Sequence, residues 1–229
     1  MSGVRARSAE REVPLNESRR VEMFSDGVFA IAITLLVLDL PVPASGSLLE
    51  ALLNDWPSFV AYLAAFLTIA GIWVHHHTVY ARVRRVEPVI VLYNLLLLLG
   101  VSLLPWPASL ISVSIRDEDQ TGGVVACAAF ALVALIVMVA WSAMTRAFAR
   151  RAHLLRRPGD VAWMRRSATE ATLSGVPVLI ALGLAFVNPV ISLGLYVAIP
   201  VYFLYSTSRS HPREAKEHAP KSLTIPPPR

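Results

Sequence analysis

RVEMFSDGVFAIAITLLVLDL, residues 20–40, enters on an arginine, carries Ser25 and Asp26 in its opening turns and then runs largely apolar as far as Leu38. A bilayer core of about 30 Å is crossed by a helix of about 20 mostly apolar residues. This stretch has that length. Ser25 and Asp26 then fall inside the hydrocarbon boundary, where an ionisable side chain is costly enough to mark a functional site. A transport role is the first expectation.

Composition places the whole chain in the membrane class. Apolar residues make up 55% of the 229 and charged residues 16%, and the charges fall between apolar runs, as in a multi-pass protein. The predicted fold class is all-α, with six membrane-spanning helices over residues 24–40, 59–80, 88–113, 123–145, 168–187 and 189–206. Turn and charge signals separate them: Pro41-Val42-Pro43, Arg84-Arg85, Arg116 to Asp119, Arg156-Arg157-Pro158-Gly159 and Asn188-Pro189. Of the 21 lysines and arginines, all but Arg116 lie before the first span, between spans two and three, between four and five, or after the last. Positive residues stay cytoplasmic, so both termini are expected inside, with Glu50, Asp55 and Asp117 to Asp119 outside. The sequence pI near 9.8 thus reflects membrane orientation, and no nucleic-acid partner is needed to explain it.

Residues 1–19 are polar and precede no cleavage site, so they are expected to form a cytoplasmic N-terminal segment with the first span retained. Residues 20–208 form the six-helix domain. Residues 209–229, with Pro212, Pro220 and Pro226 to Pro228, are expected to be a disordered cytoplasmic tail. The lone Cys127 lies mid-span, which excludes disulfides and a cysteine metal cluster.

At about 100° per residue, Ile31, Leu35 and Leu38 share one stripe of the first helix with Thr34 at its edge, while Ser25 and Asp26 fall off it. Such a stripe either faces lipid or a neighbouring helix, or meets its own copies around an axis. In the second case it forms a constriction that gates by dewetting, and Thr34 supplies hydroxyls that replace part of an ion's hydration shell. Depth gives a further relation. Asp26 lies about 9 Å beyond Arg20, His77 about 8 Å from Arg82 and Asn94 about 10 Å from Glu87. A polar layer of Asp26, His75 to His77 and Asn94 is therefore expected near the cytoplasmic side, serving as interhelical glue. Consecutive helical residues diverge, so the three histidines cannot converge on one metal. Trp73, His77 and Tyr80 share a face, which makes His77 the expected inward member. No Ser-His-Asp spacing, Gly-rich phosphate loop or H-E-x-x-H helix is present, so no enzyme, metal site or cofactor is expected.

The run Arg20-x-x-x-Phe24-Ser25-Asp26 followed by residues 27–38, with Trp73-x-x-His76-His77 in the second span and Asn94 in the third, resembles the transmembrane protein 175 family of potassium channels in its prokaryotic single-repeat form. That resemblance implies a homotetramer of six-helix subunits in a prokaryotic plasma membrane, with four first helices around a potassium pore. It implies that Ile31, Leu35 and Leu38 form the constriction, that Thr34 forms the selectivity layer, and that Arg20, Phe24, Ser25 and Asp26 hold the first helix against the second and third spans. The expected function is a potassium-permeable leak-type channel. A proton-coupled secondary transporter using Asp26 and His77 is the alternative, against which stands the lack of internal repeats and paired broken helices.

Overall fold

The computed structural model describes residues 15–43 and 47–217; the outer parts of the two expected terminal segments, 1–14 and 218–229, lie outside the described residues. Nine α-helices follow in order among these: α1 Leu15–Leu35, α2 Leu48–Asn54, α3 Trp56–Tyr80, α4 Pro88–Leu103, α5 Pro105–Arg116, α6 Gln120–Arg150, α7 Asp160–Leu173, α8 Gly175–Ala185 and α9 Pro189–Glu217. Prolines open several of them. Pro57, Pro88, Pro105 and Pro189 sit in first turns, where the missing N–H would have had no partner anyway.

Five stretches are long and apolar enough to cross a membrane: Ser18–Asp39, Trp56–Tyr80, Pro88–Arg116, Gln120–Arg150 and Asp160–Ala185; the apolar part of α9, Pro189–Tyr205, is shorter. Two of the spans are composite. Pro107 and Pro177 cannot donate to the carbonyls four residues back, those of Leu103 and Leu173, and the helix bends at each point. Leu104 and Ser174 keep right-handed helical dihedrals, so α4–α5 and α7–α8 are kinked helices with no unwound segment. The tail expected to be disordered from residue 209 begins as helix instead, because α9 continues to Glu217. Arg213 to Glu217 are good helix formers, and composition alone hid that.

Helix α6 is the centre of the bundle, packed on α4, α5, α7, α8 and α9, while α3 takes α1, α5 and α9. Helix α1 is marginal and rests on α3 and α4. Cys127 is buried in α6, where its carbonyl accepts from the Tyr196 hydroxyl at 3.1 Å. Glycine permits a close helix approach: a Cβ on Gly100 of α4 would come within 2.6 Å of Val137 Cγ2 on α6. Small residues at such contacts let membrane helices pack by dispersion. Gly100→Ala is therefore expected to destabilise by about 1–3 kcal/mol as α4 is forced off α6, measured as a lower unfolding midpoint in detergent. An unchanged midpoint would show that α6 yields at no cost.

The basic connections meet at one end of the bundle. Arg84 N–H donates to the Leu154 carbonyl at 2.8 Å, Arg156 N–H to Arg82 at 2.9 Å, and Val83 and Leu155 form an isolated β-bridge. Arg151 lies 2.9 Å from Glu87, and Arg82 covers the Trp163 ring at 4.2 Å. Arg116 lies at the other end of α5 and pairs with Asp55 at 2.9 Å, at the start of α3. The charges are thus sorted between two ends.

Candidate functional site

Helix α1 has two faces of opposite character. Phe29, Ala32 and Leu36 are buried, turned toward α3 and α4. On the other side Ile31, Leu35 and Leu38 are 60%, 52% and 74% exposed, the reverse of what burial in one subunit would give apolar side chains. Leu38 belongs to a 3₁₀ turn, Leu36–Asp39, that replaces the expected last α-turn. In a 3₁₀ turn positions three apart eclipse one another, so Leu38 stands directly beyond Leu35 and the apolar stripe stays straight. Thr34 is exposed beside it and donates its hydroxyl to the Ala30 and Ile31 carbonyls at 2.9 and 3.0 Å. Its proton is spent on the helix. Its oxygen lone pairs remain on the exposed face, the arrangement a cation ligand needs.

The buried face is fixed by a directed chain of hydrogen bonds. His76 on α3 donates from Nε2 to Asn94 Oδ1 at 2.9 Å, Asn94 Nδ2 donates to Ser25 Oγ at 2.9 Å, and Ser25 Oγ donates to the Val21 carbonyl at 2.8 Å. The direction follows from chemistry: the Asn94 amide nitrogen can only donate, so its oxygen must accept from the imidazole. All three side chains are buried. His76 is also held by its rings' neighbours, stacked on Tyr80 with centroids 4.5 Å apart and tilted against Phe29 at 5.4 Å. His76 Nδ1 and the Tyr80 hydroxyl have no partner among the described residues, so this side of the imidazole contributes shape rather than bonds.

A second layer lies nearer the surface. Asp26 Oδ1 accepts from Trp73 Nε1 at 2.9 Å, and His77 Nδ1 lies 3.4 Å from Glu22 Oε1. Trp73 and His77 stack with centroids 6.3 Å apart. The three histidines diverge: His75 faces Trp141 and Phe203, His76 faces α1 and α4, and His77 faces outward. Among the described residues no cluster could hold a metal.

The structure corrects the expected inward histidine. His76 makes the buried bond, while the His77 side chain is 63% exposed. Trp73, His77 and Tyr80 had pointed to His77, but Trp73 is outward-facing and only Tyr80 is buried. The better signal was the small and aliphatic series Ala61, Ala65, Ile69 and Ile72, whose helical spacing continues to His76. Asp26 likewise reaches Trp73, and its expected partners His77 and Asn94 are held by Glu22 and Ser25. Arg20 and Phe24 are exposed on the same side as Ile31, not gathered onto α3 or α4.

This helix and its anchor lie in the most recognisable part of the chain. Residues 20–105 match the family described as Endosomal/lysosomal potassium channel TMEM175. A potassium channel of Streptomyces collinus is 37% identical over 204 residues, covering 88% of this chain and 98% of that one. An endosomal/lysosomal proton channel TMEM175 of Rattus norvegicus is 35% identical over 148 residues, covering 59% of this chain and 30% of that longer protein. Among solved structures, the lysosomal potassium-selective channel TMEM175 homolog from Chamaesiphon minutus superposes with a TM-score of 0.68 at 30% identity, over 82% of this chain and 97% of that one. With similarity of this extent on both chains, in sequence and in fold, the chain belongs to the TMEM175 family.

Proposed function

We propose that this protein is a potassium-permeable, leak-type channel: a homotetramer in a prokaryotic plasma membrane, with both termini cytoplasmic and four α1 helices around the pore. The observation that carries the reading is the division of α1, one face pinned by Ser25, Asn94 and His76, the other leaving Ile31, Thr34, Leu35 and Leu38 exposed among the described residues. A lipid-facing helix has no need of so fixed a rotation. A pore helix does, because a turn of one residue would replace the apolar stripe with another face. Membership in a family whose bacterial relatives are potassium channels supplies the ion.

In this arrangement Ile31, Leu35 and Leu38 ring the axis as the hydrophobic constriction. Thr34 offers its oxygens just beside them, and no multi-carbonyl filter is encoded, so selectivity rests on few ligands. Thr34→Val keeps the shape and removes the oxygens. The expected result is a fall in the preference for potassium over sodium, read as a shift of the bi-ionic reversal potential; an unmoved potential removes Thr34 from the selectivity layer.

Purified protein in potassium-loaded liposomes tests the function. A channel passes potassium down its gradient with no coupled ion and without saturating as a carrier does. Flux that stops when the proton gradient is clamped points to the proton-coupled transporter through Asp26 and His77. What weighs against that transporter is the geometry: Asp26 is engaged by Trp73, His77 lies beside Glu22, and both kinked spans remain helical through the bend.

A further inference from the structure

Away from α1, the bundle encloses a cavity of about 150 Å³ between α3, α6, α7, α8 and α9. Its walls are apolar, with Ile72, Phe130, Val137, Met138 and Val178 among them. The polar groups that reach it are already engaged. Thr68 donates to the Ala64 carbonyl at 2.7 Å, Ser174 to Ala171 at 2.7 Å, and Trp141 Nε1 to Ser167 Oγ at 3.2 Å, while His75 Nδ1 lies 2.9 Å from the Gly71 carbonyl. A buried water needs two to four polar partners, and an apolar cavity of about this size stays dry and takes hydrocarbon instead.

We place the mouth between α7 and α9, because α7 rests on α6 and α9 on α3 and α8. Glu170 and Ala171 stand on one side of the cavity, Ile199 and Phe203 on the other. Glu170 is two residues into the expected span 168–187, and Val178 on the cavity wall is about 12 Å farther along the helix axis, so the mouth opens at the headgroup edge and the cavity reaches hydrocarbon depth. There the surrounding solvent is lipid tail. Arg166 pairs with Glu170 at 2.7 Å on the rim, with side chains 80% and 49% exposed. An ion pair so exposed contributes little, and its guanidinium lies one helical turn nearer the basic end of the bundle, toward the phosphates of that leaflet.

We propose that this cavity is a binding site for one acyl tail of an anionic phospholipid from the leaflet at the basic end, with its phosphate against Arg166. The site is coupled to α1 through a single peptide. His75 forms part of its wall, its ring 4.9 Å from that of Phe203 and 6.3 Å from that of Trp141, and the next residue, His76, holds Asn94. A tail seated there braces the turn of α3 that fixes the rotation of α1. This last consequence rests on the channel reading, whereas the binding does not.

The full-length protein in nanodiscs containing phosphatidylglycerol with a diazirine in its tail tests the site by photolabelling and peptide mapping. Label is expected on the buried wall residues Phe130, Val137 and Trp141 of α6, as well as on Leu132 and Val139, which face outward from the same helix. Ala171→Phe fills the cavity from α7 and removes the wall label while sparing Leu132 and Val139. Ala134→Leu, filling it from α6, serves if the first variant fails to assemble. Label confined to Leu132 and Val139 in the wild type, as when lipid never enters or a second subunit covers the mouth, overturns the proposal. Phosphatidylcholine with the same tail should label the wall less, and Arg166→Gln should abolish the difference; equal wild-type labelling by both lipids overturns the phosphate contact. Protein that labels as expected yet passes no potassium would refute the channel reading and leave the lipid site standing.

Discussion

Asparagine at Ile31, Leu35 or Leu38 is expected to raise potassium flux by at least an order of magnitude at whichever ring is narrowest. A ring of aliphatic side chains gives a hydrated ion nothing to exchange for the waters it must shed, and the constriction resists wetting. Each amide restores a hydrogen-bonding partner worth about 1 kcal/mol. Four amides in one layer then lower the barrier by well over 1.4 kcal/mol, and that amount alone is about tenfold in rate. The exposed positions of the three residues predict no loss of fold, since none of them belongs to the core among the described residues. Flux from single variants, compared in liposomes at equal tetramer content, orders the three rings. Unchanged flux in a tetrameric protein with Asn at all three places the pore on another helix.

The parts of this site written in periodicity were legible in the sequence. An α-helical angle of 100° was enough to separate Ile31 and Leu35 from Ser25, because α1 is regular over that stretch. The shared depth of Asp26, the His75 to His77 run and Asn94 was likewise a matter of rise per residue, although the group that reaches Asn94 is the adjacent Ser25. What depended on the local hydrogen-bond pattern was not legible. The 3₁₀ turn at Leu36–Asp39 differs from an α-turn by which carbonyl an amide chooses, and no residue there announces it. Side-chain selection among neighbours was the second difficulty. His76 and His77 are chemically identical, and the aromatic spacing that favoured His77 marked a surface stack with Trp73, not the core. Arg20 and Phe24 expose a third. Both side chains are exposed among the described residues, so in the proposed tetramer whatever they hold would come from another copy.

The corrected histidine makes the sharpest test of the anchor. His76→Ala leaves Asn94 Oδ1 buried without a donor and opens a void beside Tyr80 and Phe29, while His77→Ala removes an outward-facing side chain near Glu22. An unsatisfied buried acceptor costs about 1–3 kcal/mol, and the lost packing adds to it. Tetramer yield and unfolding midpoint are therefore expected to fall for His76→Ala and to stay near wild type for His77→Ala. Because the chain of bonds runs His76 to Asn94 to Ser25, Asn94→Ala removes the same His76 contact, and the double variant should cost less than the sum of the singles. Couplings of interhelical hydrogen bonds in membranes average about 0.6 kcal/mol and reach about 1.7, and a chain in which Asn94 and Ser25 each both accept and donate belongs toward the upper end. Additive effects would mean that His76 and Asn94 stabilise the bundle independently. The rotation of α1 would then have to be set by Phe29, Ala32 and Leu36 through packing alone.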